Sequence, residues 1–384
     1  MTHLQTDGVR GRILRLTRRI LATAFGIAGF AADANAQPGS RTEPVQEDKD
    51  RGSLEYSWKD GETTFRFATG KVTLSNRLQL LWTDERHESR EAERSFDVPR
   101  ARTKAAGWIY SEHLSYRFEL DWAEGPVLED LFLSWNASRT GAFEIQVGQF
   151  KVPFGRQRLT SSGAQQFVDR AVVSRDFTKG RDIGLQVKGL LAEKRMEYRV
   201  GVFNGAGQNT LSDDGRLQYN GRVVLQPFGE VKYSEGDLDD AEAPLLAIAG
   251  NFEIHDRRGV AAGDGREHVI VATDVAFYYR GFSLLGELFL RTLSHETEAT
   301  LRSNGFLVQG GYLVVPRRLE IAGRLAMSDP TALTATDGQR EVGLAVGYFV
   351  NGHNLKLQSD LRRLDDRRGE HTEHELRVQL QVVF

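Results

Sequence analysis

The last eleven residues, His374-Glu-Leu-Arg-Val-Gln-Leu-Gln-Val-Val-Phe384, alternate between polar and apolar side chains. Successive side chains of a β-strand point to opposite faces, so this stretch predicts a strand with one apolar and one polar side. The apolar row consists of Leu376, Val378, Leu380, Val382 and Phe384. It ends on an aromatic ring, and aromatic rings flank the apolar band of a membrane barrel. Taken alone, the stretch fits a soluble antiparallel sheet and an outer-membrane barrel equally well.

The composition narrows the class of protein. The chain has 384 residues, enough for two ordinary domains or one large barrel. It has no cysteine, which excludes disulfides and thiolate metal sites. It also lacks a run of about 18 apolar residues, which excludes a helical membrane protein, whereas a barrel strand needs an apolar residue only at every second position. The 39 glycines and 9 prolines suit many strands joined by tight turns.

The beginning of the chain, residues 1–36, has the features of a signal peptide. Five arginines precede an apolar segment from Ile20 to Ala32, and Ala34-Asn35-Ala36 fits a cleavage site before Gln37. Residues 37–60 are polar and are predicted to be a flexible periplasmic lead-in. Removing residues 1–36 takes five of the 50 basic and two of the 53 acidic residues, which leaves 45 against 51 and a net charge of −6. Bulk charge therefore predicts no nucleic-acid partner, and any anion site must be local.

Alternation with a period of two recurs along the rest of the chain. Its clearest example is Leu114 to Trp122, where every second residue is apolar. Sixteen strands are predicted, near residues 71–84, 96–109, 113–123, 128–137, 142–150, 181–191, 194–203, 219–228, 244–255, 267–279, 281–293, 303–315, 318–328, 340–351, 353–365 and 374–384. An even number of alternating segments of about ten residues is typical of an outer-membrane barrel.

The lengths of the linkers support the same interpretation. Long linkers, such as 85–95 and 151–180, mostly alternate with short ones, such as 192–193 and 316–317. Membrane barrels alternate long outer loops with short periplasmic turns, and a closed barrel also pairs every backbone amide, as lipid requires. Two linkers break the rule, because 124–127 is short where a loop is due and 229–243 is long where a turn is due. The chain is therefore predicted to be all-β, with a sixteen-stranded antiparallel transmembrane β-barrel over residues 61–384.

The longest linker follows a distinctive motif, Val147-Gly-Gln-Phe-Lys-Val-Pro-Phe-Gly155, and contains Leu159-Thr-Ser-Ser162 and Arg170-Ala171. Further matching stretches are Phe96-Asp-Val-Pro-Arg-Ala-Arg102, Gly201-Val-Phe-Asn-Gly205 and Gly311-Tyr-Leu-Val-Val-Pro316. With these motifs the chain resembles the phosphate-selective porin O and P family, over essentially the whole mature sequence. The resemblance implies a homotrimeric channel in the lipid of a Gram-negative outer membrane, with the third loop folded inward as a constriction.

The same linker is rich in basic residues. Strand alternation adds further cations on the lumen face of two neighbouring strands. The candidate pore-lining, anion-binding residues are Lys151, Arg156, Arg158, Arg100, Arg102, Lys104 and Arg117. Arg and Lys at a narrowing attract anions and repel cations, and the planar Arg guanidinium matches phosphate oxygens. The alternative is that these cations are solvated lumen charges paired with Glu119, Asp121, Glu144 and Asp182.

The predicted function is passive diffusion of small anions, such as phosphate or other oxyanions, through this basic constriction. Phosphate-selective members of the family line the pore with many lysines, whereas only 10 of the 50 basic residues here are lysine. General anion preference and phosphate selectivity therefore both stay open.

The alternative function is that of a barrel-scaffolded outer-membrane enzyme or adhesin without an open pore. No catalytic residue, cofactor or metal site is predicted, since His371-Thr-Glu-His374 lacks the spacing of a helical zinc motif. Most outer loops are also too short for an adhesin. The channel is therefore the favoured prediction.

Overall fold

The computed structural model describes residues 54–88, 91–138, 140–212, 215–257, 266–295, 300–330, 338–366 and 371–384. The predicted signal peptide and residues 37–53 of the predicted lead-in lie outside these ranges. No helix in the described ranges is long and apolar enough to cross a membrane.

The described chain forms one antiparallel sheet that closes on itself. It begins with a hairpin of β1 (Glu55–Lys59) and β2 (Glu62–Phe67). The barrel strands are β3 (Gly70–His87), β4 (Glu93–Ile109), β5 (Ser111–Asp121), β6 (Val127–Asn136), β7 (Glu144–Lys151), β8 (Arg181–Leu191), β9 (Met196–Phe203), β10 (Gln218–Leu225), β11 (Leu245–Arg257), β12 (Arg266–Tyr279), β13 (Phe282–His295), β14 (Leu301–Val315), β15 (Leu319–Asp329), β16 (Gln339–Asn351), β17 (Leu355–Asp366) and β18 (Thr372–Val383). Consecutive strands pair, and β18 pairs with β3 to close the barrel.

This architecture confirms the predicted sixteen-stranded barrel. The predicted strand 181–191 coincides with β8. The predicted strand 71–84 differs from β3 by only a few residues, since β3 ends at His87. The connection after β5 is short, as the sequence indicated, because β6 already begins at Val127. The end of the predicted lead-in is ordered, since residues Glu55–Lys59 form β1.

The wall is polar on the inside and apolar on the outside. On β18, the exposed fractions of Leu376, Leu380 and Phe384 are 39, 39 and 56 %, whereas Gln379 and Gln381 are 1 % exposed. The buried glutamines bond across the strands, as where Gln79 Nε2 donates to Gln381 Oε1 at 2.6 Å. A soluble sheet would bury the apolar row instead. Lipid on the outer face makes this inverted pattern stable. The C-terminal strand therefore belongs to a membrane barrel and not to a soluble sheet.

The β1–β2 hairpin continues the wall beside the closing strand. β2 pairs with β3 over residues 70–75, and β18 pairs with the same edge of β3 from Arg77 onward. Between them, the N–H of Phe384 donates to the Asn76 carbonyl at 2.9 Å, and the Asn76 N–H donates to the Phe384 carbonyl at 2.7 Å. Gly61, at the turn of the hairpin, has φ +78°, and a Cβ there would lie 2.5 Å from the Val383 carbonyl oxygen. Only glycine fits this turn.

The ring of Phe384 ends the closing strand on its lipid-facing side. We expect Phe384→Ala to lower the yield of folded barrel, because an interfacial ring anchors the strand at the membrane edge. The yield is measured as the fraction of heat-modifiable protein on gels of unheated and boiled samples. Phe228→Ala is the matched control, since Phe228 is a comparably exposed ring (63 %) in the turn between β10 and β11. Equal yields from the two variants would contradict the anchoring role.

The third outer loop, residues 152–180 (L3), lies inside the barrel. It contains helices α1 (Arg156–Leu159) and α2 (Val172–Phe177), with a 3-10 turn between them. One face of L3 is apolar and packs on residues of β7, β9 and β12 to β15. Together they form a buried cluster of Phe150, Val152, Phe154, Ala171, Val172, Val173, Phe177, Phe203, Ile270, Ala272, Leu285, Phe289, Leu307 and Ala326. The rings of Phe177 and Phe289 stack at 5.6 Å.

Carboxylates of the wall hold the backbone of L3. The N–H groups of Gln157, Val168 and Val172 donate to Glu287, Asp360 and Glu341 at 3.0, 2.9 and 2.9 Å. Each bond satisfies an amide that a loop inside a barrel would otherwise leave without a partner. L3 is thus fixed to one side of the lumen.

Candidate functional site

The lumen stays open on the side opposite the packed face of L3. A cavity of about 630 Å³ lies there, lined by L3 and by residues of β4 to β9. A second cavity of about 400 Å³ continues toward the β1–β2 hairpin. The two cavities share Arg102, Arg117, Glu119 and Ser161, so they form one path along the wall.

Basic side chains dominate the lining of the first cavity. Its nine cations are Arg100, Arg102, Arg117, Lys151, Arg158, Arg170, Arg181, Lys188 and Arg199, and its three carboxylates are Glu119, Glu129 and Asp130. The whole chain has a formal charge of −3, so the lining of this cavity has the opposite sign of charge to the chain as a whole.

Some of these cations are neutralised within the wall. Arg102 contacts three carboxylates, with Asp121 and Glu129 at 2.7 Å and Glu119 at 3.2 Å. Arg181 pairs with Glu129 and Asp130. Such a network fixes guanidinium groups along the wall, but it adds little net charge to the path.

Three other cations have only neutral partners in the described part of the chain. Lys151 Nζ donates to the carbonyls of Leu159 and Thr160, each at 2.9 Å. Arg170 Nη2 donates to the same Thr160 carbonyl at 2.9 Å. Arg158 contacts the Lys179 carbonyl at 3.4 Å. Because Lys151 and Arg170 share one oxygen, two positive charges without a carboxylate contact among the described residues lie side by side.

Burial and neighbouring guanidinium groups disfavour the charged form of two loop arginines. Burial, followed by the charge of Arg158, lowers the pKa of Arg170 to about 9. Burial, followed by the charge of Arg181, lowers the pKa of Arg158. Guanidinium groups remain charged at neutral pH, so both shifts mark a place where positive charge is poorly solvated, and the nearby Asp169 offsets only part of this cost.

The structure brings most of the predicted site residues together. Arg100, Arg102, Arg117, Lys151 and Arg158 line the first cavity. Lys104 lines the second cavity, where its Nζ lies 2.9 Å from Glu62 of β2. Arg156 lies outside both linings.

Arg156 is buried, with an exposed fraction of 1 %. Its guanidinium stacks on the ring of Tyr233 at 4.8 Å, and its Nη2 donates to the Lys232 carbonyl at 2.5 Å. It therefore fastens L3 to the turn between β10 and β11. The alternation rule holds only within strands, so it does not determine which way a loop residue points.

The proposed lumen pairing of the acidic residues is found in part. Glu119 and Asp121 pair with Arg102, and Glu144 pairs with Lys188 at 3.1 Å. Asp182 instead accepts the N–H groups of Ile183 and Gly205, at 2.7 Å each. Arg102 thus has the carboxylate partners that the solvated-charge alternative predicts, whereas Lys151 and Arg158 have none in contact among the described residues.

Sequence reasoning missed several lining residues. Lys188 and Arg199 alternate with apolar residues on β8 and β9, so the rule that selected Arg102 would also have found them. Arg181 has the same parity as the outward-facing Leu185, so that rule would have placed it on the lipid side. Tyr233 comes from a turn and had no periodic signal.

One acidic group at the outer rim has ligand atoms close together. Glu85, His87 and Glu373 each bring one such atom within 4.8 Å of the others. His87 Nε2 already bonds Glu85 at 2.6 Å, and the group does not line either cavity. It takes no part in the path.

Comparisons with solved structures agree with the fold. The outer membrane channel DcaP of Acinetobacter baumannii has 12 % identity and a TM-score of 0.60, with 83 % of this chain and 98 % of that chain covered. The anion-selective porin from Comamonas acidovorans has 11 % identity and a TM-score of 0.57, with 82 % and 100 % covered. The trimer form of the outer membrane protein OmpT of Vibrio cholerae has 10 % identity and a TM-score of 0.54, with 82 % and 99 % covered.

A search of curated proteins finds no match. The family model described as phosphate-selective porin O and P matches residues 75–384. That range includes nearly the whole barrel, L3 and the basic cavity. A porin family places the chain in the Gram-negative outer membrane. The chain therefore belongs to the phosphate-selective porin O and P family of outer-membrane porins.

Proposed function

We propose that this porin is a passive channel for small anions, including phosphate or other oxyanions, and that the basic cavity is its constriction. The observation that carries the proposal is the cluster of Lys151, Arg158 and Arg170. These three cations line the path and have no carboxylate partner among the described residues. An anion that enters the cavity supplies the missing negative charge.

Local charge outweighs net charge in such a path. The field of a charge is least screened where water is scarce, and beyond about 10 Å it is largely screened in 0.1 M salt. Acidic residues that lie more than about 10 Å from the constriction therefore have little influence on which ion enters it. The cations of the cavity line the path directly.

The chemistry of the cluster suits weak binding of oxyanions. Lys151 and Arg170 present N–H donors beside one another, and Ser161 and Ser162 add hydroxyl groups to the lining. The guanidinium of Arg77 holds these hydroxyls, with Nη1 at 2.9 Å from Ser161 Oγ and Nη2 at 3.2 Å from Ser162 Oγ. Conduction needs sites that bind weakly enough to release the ion, and mixed donors in a water-filled cavity meet that need.

Current through planar bilayers tests the proposal. In a gradient of dilute potassium chloride we expect a reversal potential that shows preference for chloride, and this preference should weaken as salt shortens the Debye length to about 3 Å at 1 M. Phosphate added to one side should reduce the chloride current. A channel that prefers potassium, or a barrel that stays silent, would overturn the proposal.

We also propose a homotrimer, which the family resemblance implies and which is the form of the Vibrio cholerae OmpT structure compared above. The same recordings test it. Each insertion should close in three equal steps under high voltage, whereas single steps would contradict the trimer.

A further inference from the structure

The long turn between β10 and β11 enters the lumen from the periplasmic end. Its residues 229–243 are here called the strap. At the base of the strap, Val231 is buried against small wall residues, Ala247, Ala249 and Ala276. Alanines at these lumen positions leave room that the strap fills. The hydroxyl of Tyr278 then donates to the carbonyl of Ser234 at 2.6 Å and holds the middle of the strap to the wall.

Glu235 joins the strap to L3. The side chain is 3 % exposed, and its two oxygens accept three bonds, from Gln157 Nε2 at 3.2 Å, from the Gln166 N–H at 3.0 Å and from Gln309 Nε2 at 2.8 Å. Its own N–H donates to the Ala164 carbonyl at 2.8 Å. Three of these four bonds go to L3, and the remaining one goes to β14. The carboxylate thus clamps the loop to the wall from below.

Tyr233 is the residue of the strap that borders the path. Its ring lines the first cavity and lies near three guanidinium groups, those of Arg156, Arg199 and Arg222, at 4.8, 5.2 and 5.7 Å. Arg156 belongs to L3, Arg199 to β9 and Arg222 to β10. The hydroxyl accepts from Arg222 Nε at 3.1 Å and donates to Glu197 at 2.7 Å. One aromatic ring therefore positions cations from the loop and from the wall.

The strap also lies tightly against β15. Gly236 has φ +77°, and a Cβ there would lie 2.8 Å from Glu320 Oε1. Glu320 in turn accepts from Gln166 Nε2 of L3 at 2.6 Å. Wall, strap and loop meet at this point without space for another side chain.

We propose that the strap is a second pore-forming element, which holds L3 in place from the periplasmic side and borders the path through Tyr233. L3 is held between the carboxylates of the wall and the clamp of Glu235. The width of the path and the position of Arg199 then depend on a periplasmic turn as well as on an outer loop. The inference rests on the proposed function, because the path in question is the one we assign to anions.

Glu235→Gln tests the clamp. Both carboxylate oxygens accept hydrogen bonds, and an amide nitrogen cannot, so the variant sets one N–H group against another. We expect a higher single-channel conductance, added open-channel noise and a partial loss of chloride preference as L3 becomes mobile. Asp239→Asn is the matched control, since this strap carboxylate pairs at the surface with Lys232, and the two side chains are 70 and 75 % exposed. It should behave like the wild type. Equal conductance and noise in Glu235→Gln and wild type would overturn the inference.

A thiol probe tests the place of Tyr233 independently. The chain has no cysteine, so Tyr233→Cys introduces a single thiol. Treatment from the periplasmic side with a small sulfonate-bearing methanethiosulfonate should cut the current, while Asp239→Cys treated in the same way should keep it. Unchanged current in modified Tyr233→Cys would exclude the strap from the path.

These readouts separate the two proposals. A wild-type channel that prefers potassium defeats the anion function, but conductance, noise and thiol block still report whether the strap borders the path. If chloride preference holds and all three readouts stay at wild-type values, only the strap inference fails.

Discussion

Replacing Lys151, Arg158 and Arg170 together by glutamine should remove most of the preference of the channel for chloride. Among the described residues, none of the three has a carboxylate in salt-bridge contact. At a distance of about 7 Å in water each unit charge changes the energy of an ion by about 0.6 kcal/mol, so three change it by about 1.8 kcal/mol, or roughly 20-fold in occupancy. The lining then keeps six cations against three carboxylates, which is half of its original excess of positive charge.

The reversal potential in dilute potassium chloride measures this change. A control removes three cations from exposed periplasmic turns, through Lys194→Gln, Arg280→Gln and Arg317→Gln, and leaves both cavities intact. It alters the net charge by the same amount and should retain chloride preference. If both triple variants moved the reversal potential equally, net charge rather than the cavity would determine selectivity.

Arg102→Gln should both destabilise the barrel and shift it toward cations. Arg102 contacts Glu119, Asp121 and Glu129, and glutamine would leave three carboxylates close together without a neutralising charge. Removing one partner of a buried charge network costs about 3 kcal/mol, here somewhat less because cavity water reaches the group. The free energy of unfolding in guanidinium and the temperature of heat modification measure the loss.

Lys104→Gln provides the comparison on the same strand. Lys104 pairs with Glu62, and these side chains are 29 and 44 % exposed, so the loss should be within about 1 kcal/mol. If Arg102→Gln proved as stable as Lys104→Gln, the contacts of Arg102 would make no special contribution to the free energy of unfolding.

The strands could be predicted from the sequence because their information is local. In a membrane barrel each strand alternates by itself, as Leu114 to Trp122 does, and no knowledge of its neighbours is required. The same rule selected Arg100, Arg102 and Arg117, which do line the cavity.

The loops could not be predicted in the same way. Arg156 and Arg158 are two residues apart on α1, yet Arg158 lines the cavity and Arg156 stacks on Tyr233. Their directions follow from packing against the wall and the strap, which involves residues far away in sequence. The sequence showed that linker 229–243 is unusually long for a periplasmic turn. That it folds into the lumen could not be predicted, because this depends on the alanines of β11 and β12.

The hairpin at the seam has a consequence for how the barrel closes. Strand pairs with a period of two can slide by two residues without exchanging their faces, so alternation alone leaves the register of the final pairing open. Here β2 already occupies the edge of β3 up to Ser75, and Gly61 touches the backbone at Val383. A closing strand that slid further toward the periplasm would collide with the hairpin. The β1–β2 hairpin, which forms locally, thereby limits the register of the β18–β3 pairing. It fixes the shear of the barrel before these two strands, the most distant in sequence, pair.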